Sequence, residues 1–158
     1  NYSKDGAISN AKTFLGDLGT GDMEAVWINL ANNVYTINFA YKTQGAVVYS
    51  DLIKVRVCAE TGGVIGLEAT TYYTNHTERN IESPKISVES AKEKVLDEIE
   101  IETSRLAVVP IGQKSEKLCY EFSGEMDGET YYVYIDAITG RQVEMFKVIE
   151  STEGTLLI

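Results

Sequence analysis

Three side chains in this 158-residue chain could do the most reactive chemistry: His76, Cys58 and Cys119. An acyl-transfer centre needs a histidine held between a nucleophile and an orienting carboxylate. His76 stands in the polar run TNHTERNIESPK (74–85), whose immediate context supplies neither. A structural zinc site needs four nitrogen or sulfur ligands at close spacing. One histidine and two cysteines 61 residues apart do not meet that requirement. Two cysteines also define no disulfide framework, and each lies in a β-rich run where a thiol commonly behaves as a small buried hydrophobe.

Three short motifs carry weaker signals. EMDGE (125–129) sets three acids around a glycine, but lacks the further acids and distal Glu of a calcium loop, and its Asp-Gly between two β runs is a hairpin signal. LGTGD (18–22) contains Gly-x-Gly, but a helix precedes it and a strand follows, the reverse of a phosphate-binding loop. Asn75-His76-Thr77 fits a glycosylation acceptor pattern of a kind that recurs by chance. The inventory therefore points away from turnover and assigns no catalytic residue, metal ligand or cofactor site.

The elements that position these residues read as one pattern written twice. In the second half, SVESAKEKVLDEI (87–99) spaces Val88, Ala91, Val95, Leu96 and Ile99 on one helical face, with Ser87 as N-cap. β-rich runs follow at 105–111, 117–125, 130–137 and 141–149, with turns at Asp127-Gly128 and Thr139-Gly140. In the first half, DGAISNAKTFLGDL (5–18) carries Ile8, Ala11, Leu15 and Leu18 and stops at Gly19. Runs at 24–31, 34–41 and on either side of Thr61-Gly62 repeat the strands. Phe39 aligns with Phe122 and Gln44-Gly45 with Asp127-Gly128 at an offset of 83 residues. Thr61-Gly62 aligns with Thr139-Gly140 at 78, and Ala11-Lys12 with Ala91-Lys92 at 80. The predicted organisation is a first repeat over 1–78, a linker over 79–86 and a second repeat with a C-terminal tail over 87–158. A unit of about 75 residues is only marginally self-sufficient.

Net charge is −10, and residues 81–158 carry −8 of it. Such a surface repels phosphate backbones and anionic headgroups, which excludes nucleic acid as a partner class and favours a basic one. No apolar run reaches the roughly 20 residues of a membrane helix. The chain begins at Asn1 and reads as an excised or matured fragment whose native anchor lies elsewhere. Ten tyrosines are conspicuous. Aromatic residues are enriched in strands, so they read first as cover for the core. As partner-interface candidates we single out Tyr72 and Tyr73 at the end of the first repeat's last strand, Tyr131, Tyr132 and Tyr134, and the hairpin tip Asp127-Gly128. Strand alternation places Tyr132 and Tyr134 on one face and Tyr131 on the other.

A helix opened by Ser87, then LCYEF, then YYVYIDAITGRQVE resembles the PepSY domain, and the first half carries a degenerate copy with Cys58 in place of Asp136. The stretch from Ser104 to the terminal EGTLLI is similar to the C-terminal end of spore germination proteins of the YpeB family. The resemblance implies an α+β fold of two tandem PepSY-like repeats, each one helix packed on a four-stranded antiparallel meander sheet. It implies a non-catalytic regulatory module with no cofactor, which stabilises or restrains a SleB-like cortex-lytic peptidoglycan hydrolase. It further implies a location in the spore, at the outer face of the inner membrane or in the cortex region, with a membrane anchor upstream of Asn1. Inhibition of an extracytoplasmic protease and binding of cell-wall glycan are the alternatives.

Overall fold

The structure, a computed structural model, describes residues 1–151 and 154–158. The chain divides into two compact units. The first comprises Asn1–Thr43 and Val47–Thr77 with Glu150–Leu156; the second comprises Gln44–Ala46 and Glu78–Ile149 with Leu157–Ile158.

The first unit opens with helix α1 (Lys4–Leu18). Ser3 caps it by accepting from the Gly6 N–H, and Gly19 ends it in the left-handed region at φ 72°, donating to Gly16 and Leu15 carbonyls. Strands β1 (Met23–Ala31), β2 (Val34–Thr43), β3 (Ala46–Cys58) and β4 (Val64–Glu68) follow as a meander. β1 pairs antiparallel with β2 from Met23↔Tyr41 to Ala31↔Val34, and β3 with β4 from Lys54↔Glu68 to Val57↔Val64. A short helix, α2 (Thr70–Asn75), closes the unit. Ala7, Ala11 and Leu15 of α1 pack on Ile37, Phe39, Ile53, Val55 and Val57. Each buried branched or aromatic side chain contributes about 1.5–3 kcal/mol by leaving water. The two alanines let the helix sit close to the sheet, while Leu18, expected on the inner face, is exposed.

The second unit repeats the order with helix α3 (Val88–Lys92) and strands β5 (Glu100–Ile111), β6 (Ser115–Met126), β7 (Glu129–Asp136) and β8 (Gln142–Ser151). β5–β6, β6–β7 and β7–β8 are all antiparallel. β9 (Gly154–Leu157) lies beside β8, where Lys147 and Ile158 exchange both backbone bonds. Ala91, Val95 and Ile99 pack on Tyr120, Phe122, Val133 and Ile135.

The expected helix over 87–99 is regular only to Lys92. Beyond it the chain winds through three-residue bonds, Lys94 N–H to Ala91, Val95 N–H to Lys92 and Ile99 N–H to Leu96. Asp97 and Glu98 would place negative charge at the negative end of a longer helix. Ala91, Val95 and Ile99 nevertheless stay on the core side, so the apolar period survives the loss of helix.

The hairpin tips are as expected. Gln44-Gly45 (φ 51° and 80°) and Asp127-Gly128 (φ 54° and 76°) are left-handed at both positions, the type I′ geometry that matches strand twist.

Candidate functional site

The most constrained polar feature of the second unit is the turn between β7 and β8. Asp136 ends β7 almost fully buried, and its Oδ1 accepts from the Ile138 and Thr139 N–H groups at 2.8 and 3.1 Å. Gly140, at φ 76°, donates to Asp136 O, and the Thr139 hydroxyl accepts from the Arg141 N–H. Burial pushes the Asp136 carboxyl upward. The Ile138 and Thr139 amides, then Lys117 at 3.5 Å, outweigh that and hold it below the usual aspartate value.

The turn also fixes the chain that enters α3. The Ala137 carbonyl accepts from both Lys85 and Ile86 N–H groups, and the Tyr120 hydroxyl donates to Ile86 O at 2.8 Å. Residues 79–86, read from sequence as a linker, are thus bonded into the second unit. Arg79 makes a two-point pair with Glu116, Nε to Oε2 at 2.9 Å and Nη2 to Oε1 at 3.0 Å. Between this segment and the strands lies a cleft of about 470 Å³. Its walls include Ile81, Val108, Leu118 and Ile138, and its rim holds the Arg79–Glu116 and Lys117–Asp136 pairs. Such a cleft suits an apolar side chain flanked by polar groups.

The first unit builds the same turn with a different side chain. Gly62 N–H donates to Cys58 O, Cys58 N–H to Gly63 O, and Gly63 N–H to the Thr61 hydroxyl. Ala59 O accepts from Tyr2 N–H, and the Tyr35 hydroxyl donates to Tyr2 O. Each of these bonds has its partner in the second unit. Ser3 corresponds to Ser87, and Ala7, Ala11 and Leu15 to Ala91, Val95 and Ile99, at an offset of 84 rather than the expected 80. The expected alignment of Phe39 with Phe122 also gives way, since Tyr35 and Tyr120 correspond at 85. The drift to 78 at the closing turn falls in the longer first hairpin, where β3 has 13 residues against 8 in β7.

The cysteines are both free and differ in character. Bonds from the Thr61 side chain and backbone, then the Glu60 backbone, lower the Cys58 thiol pKa. Burial pushes Cys119 up to about 12, helped by the Asp136 charge.

His76 is not the unsupported loop residue its neighbours suggest. Its Nδ1 lies 2.7 Å from Oδ2 of the fully buried Asp51 on β3. Its ring stacks on Tyr72 at 4.5 Å and meets Tyr41 edge-on at 4.6 Å. It ends α2, donating its own N–H to Tyr72 O. The pair fastens α2 to β3, and only the fold brings together residues 25 positions apart.

The partner-interface candidates do not form one surface. Tyr72 is helical rather than in a strand, and buried, with its hydroxyl on Thr20 O at 2.7 Å; burial and then Asp51 raise its pKa. Tyr134 is 2% exposed, donates to Glu121 Oε2 at 2.8 Å and meets Phe146 edge-on. Both are corrected from interface to internal structure. Tyr73, on α2, is 65% exposed. Tyr131 packs against the second core on the Val133 side, opposite Tyr134 as alternation required, and Tyr132 is half-buried. Asp127-Gly128 forms an exposed tip. Among the described residues, no three His, Cys, Asp or Glu side chains gather as metal ligands.

Two helix-on-meander units closed by an Ala-x-Thr-Gly turn define a PepSY-domain protein. Residues 1–82 match the family described as YpeB sporulation, PepSY1 and PepSY2 domains, and residues 85–146 match the peptidase propeptide and YPEB domain. The chain is 34% identical over 144 residues to sporulation protein YpeB of Oceanobacillus iheyensis, covering 91% of this chain and 31% of that protein. It is 32% identical over 151 residues to that of Halalkalibacterium halodurans, covering 96% and 34%. The solved C-terminal domain of Bacillus megaterium YpeB superimposes with a TM-score of 0.80 at 32% identity, covering 93% of this chain and 66% of that one. The chain belongs to the YpeB sporulation family, and it spans about a third of the length of these curated relatives.

Proposed function

We propose that this chain is a non-catalytic binding module of a germination protein, which stabilises or restrains a SleB-like cortex-lytic hydrolase in the spore. The full-length protein is held at the outer face of the inner membrane or in the cortex region. One observation carries the reading: within a YpeB family member, the polar side chains best placed for chemistry are committed to holding the fold. Asp136 caps a turn, Glu121 takes the Arg105 guanidinium and the Tyr134 hydroxyl, and Asp51 holds His76.

Co-purification of the full-length protein with a SleB-like hydrolase tests it. The expected result is a complex, with a longer hydrolase half-life under protease or a changed rate of cortex digestion. No complex together with unchanged lifetime and rate rejects the reading. Because the chain is strongly acidic, association is expected to slow as salt rises. The description of the second domain as a peptidase propeptide domain favours a second reading, restraint of an extracytoplasmic protease. Undiminished proteolysis at saturating protein removes it. Retention on purified cortex peptidoglycan would instead favour glycan binding.

A further inference from the structure

Among the described residues the first unit's meander has two strands with a single strand partner, β1 beside β2 and β4 beside β3, and it is β4 that borders a groove. Among the described residues it pairs with β3 alone, so its outer row of N–H and C=O groups faces no strand. Its sequence, VIGLE, has no lysine, arginine or proline, the residues that usually blunt an edge. It exposes Ile65 at 59% and Leu67 at 43%. A bulge sets Ile65 out of register, leaving Gly66, Leu67 and Glu68 regularly paired to β3.

At the Val64 end of this edge a groove of about 450 Å³ opens against α1. Asn10, Thr13, Phe14 and Asp17 line one wall at the i, i+3, i+4, i+7 spacing of a single helical stripe, and Gly62 and Val64 line the other. Phe14 and Val64 are half-buried and supply apolar floor; Asn10 is fixed by its bond to Gly62 O at 2.8 Å. Asp17 is the only charged side chain of the lining; Glu68, the one charge on β4, is outside the lining and pairs with Lys54 at 3.9 Å. An open strand edge beside a helix-walled groove is the geometry that receives an added peptide strand, with main-chain bonds to the edge and alternate side chains in the groove.

We infer that the α1–β4 groove docks an extended segment of a protein partner, adding it as a strand beside β4. The segment carries apolar side chains at alternate positions to meet Phe14 and Val64, and a lysine or arginine to face Asp17. The inference rests on the reading of the chain as a binding module and names the surface that binds.

The test uses the 158-residue chain and labelled nine-residue peptides of alternating Val and Thr, flanked by Lys, flanked by Glu, or interrupted centrally by Pro. Expected is saturable binding of the Lys-flanked peptide with slowed amide exchange over Val64–Glu68, and no binding of the Pro peptide. Asp17→Lys is expected to weaken the Lys-flanked peptide about 2- to 5-fold, the range of a rim ion pair. It leaves thermal stability intact or raised, because a cation suits the C-terminal turn of α1 better than an acid. Leu67→Lys is expected to abolish strand addition at an already exposed position. Equal binding of all three peptides, exchange protection elsewhere, or full affinity in both variants overturns the groove. So does self-association of the chain that Leu67→Lys removes, since a second copy would then be the occupant. A hydrolase that binds wild type and Leu67→Lys alike sinks the groove and spares the proposed function. A hydrolase that binds neither, with peptide binding intact, does the reverse.

Discussion

Asp136 and Cys58 occupy the same place in two copies of one turn, and the backbone around them is the same. In both, the glycine four residues on donates back to that residue, the threonine hydroxyl takes the N–H two residues ahead of it, and the following alanine holds the chain entering the helix. The amides two and three residues on also meet the side chain in both, the Cys58 sulfur in the first unit and the Asp136 carboxylate in the second. The turn is therefore specified by Ala-x-Thr-Gly and its backbone bonds, and the aspartate strengthens what already forms.

Four experiments sharpen or break that comparison. The largest effect is expected where the units are least alike. A Cβ at Gly124 of β6 would run into the Glu100 carbonyl oxygen and come within 2.7 Å of Ile99 Cγ2, whereas at the offset of 85 set by Tyr35 and Tyr120 its counterpart is the buried Phe39. Gly124→Ala is expected to cost about 3 kcal/mol in chemical denaturation, the upper range of overpacking; a loss near zero would mean β5 and β6 part easily.

Next, Asp136→Ala is expected to cost about 2 kcal/mol, as two amide bonds to a charged acceptor are lost, and Cys58→Ala clearly less. Equal losses would put the side chain, not the backbone, in charge of both turns. The folded Asp136 carboxyl titrates below its unfolded value. Its contribution is therefore fully present above the unfolded value, about 3.9, and fades as pH falls through the folded one. Acid titration of stability is expected to be steeper in wild type than in Asp136→Asn over that window.

The third comparison sets Gly62→Ala against Gly140→Ala. Both positions are left-handed, costing about 1–2 kcal/mol for alanine. At Gly62 the new Cβ also meets the Tyr2 ring at 2.5–2.7 Å, whereas at Gly140 its nearest neighbour is Ile86 Cδ1 at 3.5 Å. The first variant is expected to be less stable by about a further 1 kcal/mol. Tyr2→Ala should erase that difference.

The smallest effect leaves stability unchanged. Iodoacetamide near neutral pH is expected to label Cys58 well before Cys119, which reacts only as the chain unfolds. Simultaneous labelling would contradict the burial of Cys119.

Much of the architecture was legible because turn chemistry is local. Asp127-Gly128, Gln44-Gly45 and Gly19 act through their own backbone, and Ser87 through a hydroxyl that accepts from the Ser90 N–H three residues on, so a reader of sequence meets cause and effect together. Tyr72 and Tyr73 misled for a complementary reason: Thr and Tyr favour strands, yet TTYYTN is helical, with Tyr72 in the first unit's core. The helix offset of 84 was hidden because Ala-Lys recurs at 80, a coincidence that only the capping serines resolve. His76 and Asp51, or Arg79 and Glu116, meet across separations of 25 and 37 residues, for which no spacing rule exists. Burial of Tyr134, and hence its removal from any docking surface, likewise depends on what covers the strand.

The bonds from Lys85 and Ile86 to Ala137, and from Tyr120 to Ile86, bear on how the second unit can be excised. A fragment cut to begin at Ser87, where the helix starts, would leave a buried carbonyl and a phenol without mates. One beginning at Glu78 would retain them and the Arg79–Glu116 clasp, and so marks the shortest piece worth expressing alone.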